Sequence, residues 1–385
     1  MKTVNLIKPL MTLLLASALW LPPAISEARE LNYALGTPSG TPAHEALEFY
    51  SEKVAELSGG ELTVKVFPLS LLSFAEMSSG IRDGMADAGL VLTPYHPGEF
   101  PPINMLAESS MLLTLEKELV RSKQGVAFGA ALSEFIMFHC PECIDRFSKQ
   151  NQVYLGHSAG SAYGLMCSEP VTNLDELEGK RIRVGAGNFS RWAEAMDASP
   201  VTMSANEMRE AISQGIVDCI ALSSPEIQNY GLAELVSDLT MAVPGGVFPF
   251  ASFQTNGDLW QSLSDQERET LIKGAAEGNA AISWTYVETA QESLDMVREQ
   301  GAELHEAEEP LARATRNFIR KDMDTLASQY EDRYSLDNAG TTLEEFKPIL
   351  EAWVERVNQV ESQEELAEMY WKHIFSKLDP SSHGL

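Results

Sequence analysis

Arg181 and Arg183, two residues apart in the run KRIRV, are the side chains of this sequence best placed to do chemistry. Lys180 to Val184 alternates charged and apolar residues with the period of a β-strand, so both guanidiniums fall on one face. Arg183 stands one residue from the end of that strand, before the glycine-rich turn Gly185-Ala186-Gly187-Asn188 and a helix. Open α/β sheets bind ligands beyond the carboxyl ends of their strands, and a helix start favours anions. A guanidinium adds a planar fork of donors that matches a carboxylate and stays charged in any surroundings. The chemistry expected at Arg183 is therefore capture of an organic anion. A solvated strand-end arginine, or one paired with a neighbouring acid, fits the same local pattern.

Other reactive groups give weaker signals. Four cysteines, Cys140, Cys143, Cys167 and Cys219, allow three pairings. Cys140 and Cys143 form a C-x-x-C with a proline inside. No strand leads directly into a redox-type helix there and no second C-x-x-C offers zinc ligands, so a local bridge or two free thiols is expected. His157 sits beside no carboxylate or nucleophile in a recognised motif and is assigned to a turn. With no G-x-S-x-G, no H-E-x-x-H and no acidic metal cluster expected to act, no catalytic residue, metal or cofactor is expected. The competing class is an exported α/β hydrolase or lyase acting on a small carboxylate, which would need a nucleophile and base.

The elements that must position Arg183 run from Thr172 to Pro225 as a β-α-α-β unit. Asn173 caps a short turn closed by Gly179 ahead of the strand, and Phe189, Trp192, Ala193 and Met196 recur at helical spacing after it. Ser204 with Glu207 is a capping box for a second helix whose stripe is Met208, Ala211 and Ile212. Gly215 closes it before the β-rich run Ile216 to Leu222. Upstream, Leu31 to Leu35, Leu62 to Phe67 and Asp87 to Leu92 are strands. Thr41-Pro42 opens the helix between the first two, and Ser73 with Glu76 opens one that ends at Gly84. Strand and helix alternating in this way require parallel pairing in a doubly wound sheet. The loop beyond the third strand carries Tyr95, His96 and Phe100, candidates to face a cleft at its top. Further on, a helix is expected from Pro225 to about Leu235, a strand crossing back at Ala251 to Thr255, and a long helix through Trp284 to Glu299. More helices reach Phe375, and the last seven residues are tail.

Composition narrows the class. A hydrophobic share of 44% with 22% charged residues over 385 residues is that of a globular chain with room for two cores. Its formal net charge of −28 repels phosphate backbones and argues against nucleic-acid binding. At the start, Lys2 and Lys8 precede the apolar run Leu10 to Leu21 and the small-x-small site Ser26-Glu27-Ala28. Residues 1–28 are thus expected to be a cleaved export signal, too short in their apolar part for a membrane span, leaving a periplasmic protein.

Three blocks, LDELEGKRIRV, AMDASPVTM and EMREAISQGIVD, resemble in order and spacing the signature region of the DctP-like solute-binding proteins of TRAP (tripartite ATP-independent periplasmic) transporters. SGGELTVKVFP and IRDGMADAGLVL are similar to the first lobe of that family, and TNGDLWQSLSDQERETLI to a later part. The likeness covers nearly all of the chain between the export signal and about residue 310. It implies a two-lobed α/β clamshell of the periplasmic-binding-protein type, each lobe a doubly wound, mostly parallel sheet flanked by helices, with a long helix spanning both. It further implies a receptor that closes on a small organic acid and delivers it to the TRAP membrane permease, with no ATP-binding partner. A binding protein that feeds a sensor kinase would share the fold. In the family the arginine of the G-K-x-I-R-V strand makes a two-pronged salt bridge to the substrate carboxylate, and it matches Arg183.

Departures from the family bear on the ligand. Positions that hold an asparagine, a glutamate and a second arginine in sialic-acid-binding members are Gly36, Leu92 and Tyr163 here, which disfavours sialic acid. A wall of Tyr163, Trp192, Phe248 and Phe250, with Tyr95 above it, suits a compact monocarboxylate with an apolar or aromatic part. Asn188 and Ser223 are the candidate polar contacts. The implied division is 29–160 in the first lobe, 161–246 in the second, 247–290 returning to the first and starting the spanning helix, and 291–385 in the second lobe with the C-terminal helices. Helices over Thr341 to His373 extend the second lobe or make a dimer contact, so monomer and homodimer are both open. A bridge between lobes would oppose closure, so Cys140–Cys143 and Cys167–Cys219 are the pairs expected.

Overall fold

Caps and alternation start each element of the first lobe. The computed structural model describes residues 28–115 and 119–385, and the expected export signal lies outside the described residues except for Ala28. β1 (Arg29–Leu35) buries Leu31, Tyr33, Ala34 and Leu35. Thr41 accepts a hydrogen bond from the His44 amide at 3.3 Å and Pro42 fills the first turn of the helix Pro42–Leu57, whose Ala46, Leu47, Tyr50 and Val54 face the core. β2 (Leu62–Pro68) follows. Ser73 and Glu76 do bond, Oγ to Oε2 at 2.7 Å, but they fold onto each other in a turn, and the helix Met77–Arg82 begins later than the capping-box spacing suggests. β3 (Ala88–Val91), β4 (Gln152–Tyr154) and β5 (His157–Ala159) complete this part of the chain.

The chain then crosses at Gly160 into the second lobe. There it lays down β6 (Tyr163–Cys167), β7 (Arg181–Val184), β8 (Ser199–Thr202), β9 (Cys219–Ser223) and β10 (Asp238–Met241). β11 (Pro249–Asn256) returns to the first lobe, and β12 (Glu303–Glu306) closes the second sheet after the long helix. One sheet has the order β2-β1-β3-β11-β4, with β5 also on β11; the other is β12-β10-β6-β9-β7-β8. The result is the expected two-lobed α/β architecture, with mixed rather than mostly parallel sheets. β6 is antiparallel to β9 and β10, and β11 to β3, β4 and β5. A strand arriving from the other lobe enters at the hinge, where its neighbours end, and so runs against them.

The structure adds four strands, β5, β8, β10 and β12, and the helix Pro101–Glu108 where the sequence suggests an irregular loop. β8 makes the Arg183 unit β-α-β-α-β, and β10 and β12 occupy the outer half of the second sheet. These last three strands are four residues long and pair with distant segments. The helix expected to reach Leu235 is only Glu226–Asn229.

Four connections tie the lobes, the last being the helix Glu309–Tyr334, which leads from β12 in the second lobe back to the C-terminal helices on the first. Two run side by side, Gly160 donating to the Phe248 carbonyl at 3.1 Å and Tyr163 to that of Gly246 at 2.9 Å. The third is the helix Asp265–Glu299, 35 residues long and about 52 Å at 1.5 Å per residue, opened by a Ser264–Glu267 capping box. Near its start it rests on the first lobe at Gly278, where an added Cβ would stand 2.4 Å from the Phe253 ring. Further along it holds the second lobe, Ser224 donating to the Ala290 carbonyl and Gln228 to Ser293 Oγ, each at 2.8 Å. On another flank Arg191 spans the lobes, binding Asp322 through Nε and Nη2 at 2.7 Å each and Glu108 through Nη1 at 2.8 Å.

The C-terminal helices Ala339–Val357 and Gln363–His373 do not extend the second lobe. Phe346 sets its ring against Phe128 and Phe135, and Trp353 Nε1 donates to Glu134 at 2.7 Å, so their apolar stripe covers the first-lobe helix Gln124–His139. The final residues are docked too: the His383 carbonyl accepts from Trp260 Nε1 at 2.8 Å, and Arg268 Nε donates to the Pro380 carbonyl at 2.8 Å. His157 lies in β5, fully buried, with Nδ1 2.6 Å from the Tyr154 hydroxyl, rather than in a turn. Cys140–Cys143 and Cys167–Cys219 are disulfides, each inside one lobe.

Two stability measurements follow from this packing. Cys167 and Cys219 close a loop of 52 positions, so replacing both by alanine should cost about 4 kcal/mol in urea unfolding, whereas opening the Cys140–Cys143 bridge should cost less than half as much. The reverse order would contradict the chain-entropy account. Burial pushes the His157 imidazole down to about 3, while in the unfolded chain it protonates near 6.5. Between those values only the unfolded chain gains a proton, so stability should fall as pH falls, by up to roughly 1.4 kcal/mol per unit. Comparing wild type with His157→Gln at pH 7 and pH 5 checks this: the variant should have the shallower slope.

Candidate functional site

Arg181 and Arg183 share the β7 face but meet opposite fates. Arg181, at the exposed start of the strand, is satisfied by Asp218, Nη2 to Oδ1 at 2.6 Å and Nε to Oδ2 at 3.0 Å. Arg183 is only 2% exposed, and among the described residues no carboxylate lies within 4.0 Å of its guanidinium. Its Nε and Nη2 donate to the Met203 carbonyl at 3.2 and 2.9 Å, and Nη2 also to the Tyr95 hydroxyl at 2.7 Å. Nη1 makes none of these bonds. Burial works against the charge, but the oxygens of Tyr95, Tyr163 and Tyr230 outweigh it and hold the guanidinium firmly protonated. A buried cation without an internal counter-ion is costly, and an incoming anion removes that cost.

Arg183 faces a cavity of about 50 Å³ between the lobes, room for several waters or one compact ligand. Of the residues expected at the site, Tyr95, Tyr163, Arg183, Ser223, Phe248 and Phe250 all line it. Asn188 and Trp192 do not. Trp192 is fully buried and gives its indole N–H to Thr315 Oγ1 at 3.0 Å, on the helix Glu309–Tyr334. Its helical stripe is turned to the core; Phe189 from the same stripe backs the wall by stacking on Tyr163 at 4.6 Å, with Phe248 on from Tyr163 at 6.2 Å. Asn188 is buried in the first turn of that helix, its Oδ1 without a hydrogen-bond partner, away from the cavity lining. His96 and Phe100 also lie off the lining; Phe100 is core, packed on Phe147 at 5.0 Å.

Residues the sequence reading passed over supply much of the polarity. Thr37 follows β1, Glu226 and Tyr230 follow β9, and Tyr286 comes from the long helix. The first three obey the rule that ligands meet sheets at the carboxyl ends of strands. Tyr286 had no local signal, because its place depends on how the helix lies across both lobes. The Thr37 and Ser223 hydroxyls are buried without partners among the described residues. Burial keeps Tyr163, Tyr230 and Tyr286 protonated, their pKa values raised well above the ordinary one. Burial likewise pushes the Glu226 carboxyl up, against the pull of Tyr286, Asn229 and Arg183.

Two groups that could suggest catalytic or metal chemistry lie off the cavity lining. The segment Gly156-His157-Ser158-Ala159-Gly160 does match G-x-S-x-G, against the expectation that the chain holds no such motif. Ser158 is a fully buried strand residue bonded to Asn279, and the chain continues into another strand instead of the helix that a nucleophile turn requires. Asp238, Glu303 and His305 bring three potential metal donors together on β10 and β12, none of them lining the cavity. Asp238 is already bonded to His305 at 2.9 Å and to Ser237 at 2.6 Å.

Tyr95 joins the lobes at Arg183. Its oxygen accepts both from Nη2 and from the Ala205 amide at 2.8 Å, which leaves its own proton for a ligand oxygen. Tyr95→Phe should therefore strand two buried donors and lower stability by roughly 1–3 kcal/mol in urea unfolding; an unchanged midpoint would refute this bridging role.

Residues 33–332 match the family described as bacterial extracellular solute-binding protein, family 7, or DctP. A solute-binding protein of Albidiferax ferrireducens is 21% identical over 231 residues, 59% of this chain and 64% of that protein, so the chain spans under two thirds of this relative's length. The fold is similar to that of DctP7, a Bordetella pertussis extracytoplasmic solute receptor that binds pyroglutamic acid, with a TM-score of 0.68 and 19% identity over 83% of this chain and 100% of that one. It is also similar to a marine metagenome TRAP solute-binding protein specific for aromatic acids, in complex with 3-hydroxybenzoate, with a TM-score of 0.70 and 18% identity over 85% and 99%.

Proposed function

The chain belongs to family 7 of the bacterial extracellular solute-binding proteins, the DctP receptors of TRAP transporters, and we propose that it captures a small organic acid at Arg183 and delivers it to a membrane permease. The observation that carries this reading is the buried Arg183, which has no carboxylate partner among the described residues and opens on an aromatic-walled cavity. Its guanidinium meets the ligand carboxylate, with the Tyr95 hydroxyl as a further donor. Closing the lobes removes water and strengthens the pair. Cross-lobe bonds from Asn206 Nδ2 to the Gly36 carbonyl at 2.8 Å and from Ala43 N–H to Asn229 Oδ1 at 3.3 Å hold the closed form that the permease would recognise.

The family is periplasmic, and no helix among the described residues is long and apolar enough to cross a membrane. Export on the signal at residues 1–28 is the corresponding proposal. Family and fold are those of transport receptors rather than enzymes, and the Ser223 hydroxyl on the cavity lining has no base bonded to it among the described residues. The cavity favours a compact acid with an apolar or aromatic body, in keeping with the pyroglutamic acid and aromatic acids bound by structural neighbours.

A thermal-shift screen against pyroglutamate, hydroxybenzoates, mandelate, 2-oxo acids, C4-dicarboxylates and uronates tests the proposal. A ligand at a hundredfold excess over its Kd should add about 2.7 kcal/mol of stability. Arg183→Ala should weaken that ligand by roughly 3–5 kcal/mol, and Arg183→Lys by much of that, because a single ammonium cannot replace the two-pronged fork. Full affinity in the lysine variant would contradict the geometry, and no shift with any acid would overturn the receptor reading.

A further inference from the structure

One acid shares the cavity with Arg183. Glu226 stands on the short turn beyond β9, lines the same space, and is fixed from two sides. Its Oε1 accepts from the Tyr286 hydroxyl at 2.5 Å, and its Oε2 accepts from Asn229 Nδ2 at 2.9 Å. Asn229 is itself held, since its Oδ1 accepts from the Ala43 amide of the first lobe. The long helix, the second lobe and the first lobe therefore all contribute to where this carboxyl group sits.

An acid is an awkward neighbour for an incoming carboxylate. Two like charges in one small, water-poor space repel, and an apolar ligand atom against Glu226 would cover acceptor sites and leave them unmet. Each carboxylate oxygen has two acceptor positions, and Tyr286 and Asn229 use one apiece. The remaining positions can be met only by a donor. The raised Glu226 pKa reports the same desolvation.

Resting on the receptor reading above, we propose that the ligand is an acid of two-ended polarity: a carboxylate for Arg183 and a hydroxyl, lactam N–H or ammonium group that donates to Glu226, joined by a compact body that packs on Phe248 and Phe250. Glu226 then sets specificity and Arg183 sets anchorage. Tyr286 is a positioning residue that acts through Glu226. A site built around a fixed acceptor discriminates strongly against analogues that lack the donor, because the acceptor is then buried unpaired.

Matched pairs test this by isothermal calorimetry on the mature protein: pyroglutamate against cyclopentanecarboxylate, 3-hydroxybenzoate against benzoate, and proline as a zwitterion. At least one donor-bearing acid should bind wild type on the order of tenfold or more tighter than its donor-free partner. In Glu226→Gln that preference should shrink towards unity, the donor-bearing acid binding more weakly and the donor-free acid at least as tightly as in wild type, because the unmet acceptor and the like charge are both removed. Equal binding within every pair in wild type, with proline no better, would overturn the inference while leaving the receptor reading intact. So would an equal loss for both members in the variant, which would make Glu226 a purely structural residue. The wild-type comparison stands even if the variant does not fold. Failure of every acid to bind would remove the receptor reading and this inference together.

Discussion

A buried guanidinium with no carboxylate bonded to it among the described residues is the constraint around which this molecule is arranged. The chain carries a net charge of −28, so acids to pair with Arg183 are plentiful, and Arg181 two positions away has taken one. Arg183 instead bonds to a backbone carbonyl and a tyrosine hydroxyl. Neutral acceptors orient the fork without cancelling its charge, which is what the proposed capture of an anion requires. Met203, which supplies that carbonyl, lies between β8 and the capping-box helix Ala205–Ser213, so the unrecognised edge strand and the recognised cap together aim the arginine.

The rest of the fold makes such a charge tolerable and usable. Two adjacent crossing segments, the long helix and the returning helix Glu309–Tyr334 keep the lobes in register, an arrangement compatible with the proposed hinge closure. Both disulfides stay within a lobe and leave that motion free. Tyr95, Asn206 and Asn229 make cross-lobe hydrogen bonds around the cavity, so the contacts that close the cleft are also those that orient Arg183 and Glu226. Arg191 pairs across the lobes with Glu108 and Asp322, where burial pushes Glu108 above its ordinary pKa and the guanidinium opposes it. Ligand recognition and lobe closure thus draw on the same interactions.

Polarity inside the cavity is more balanced than a simple anion trap requires. One cation, one acid, several tyrosines and two unpartnered hydroxyls surround a space whose remaining walls are aromatic and aliphatic. Such a lining favours ligands that offer both an acceptor and a donor around an apolar body.

Local signals in the sequence served best where the physics is local. The Thr41, Asn173 and Ser204 caps, the strand alternation around Arg183, and the stripes of the long helices depend on residues within a few positions of one another, and the structure contains them, although the Ser73–Glu76 pair closes a turn instead of opening its helix. Arg183 itself was legible because strand end, glycine turn and helix start are contiguous. Tertiary structure decided what contiguity cannot express. Whether Trp192 faces the ligand or Thr315, whether the last residues hang free or dock on Trp260, and whether β8, β10 and β12 exist at all depend on segments tens to hundreds of positions away. Glu226 and Tyr286 enter the cavity for the same reason. The sequence determined that an arginine would wait at the end of a strand, whereas the burial that leaves it without a carboxylate, and the acid placed in the same cavity, arise only when both lobes and the spanning helix pack together.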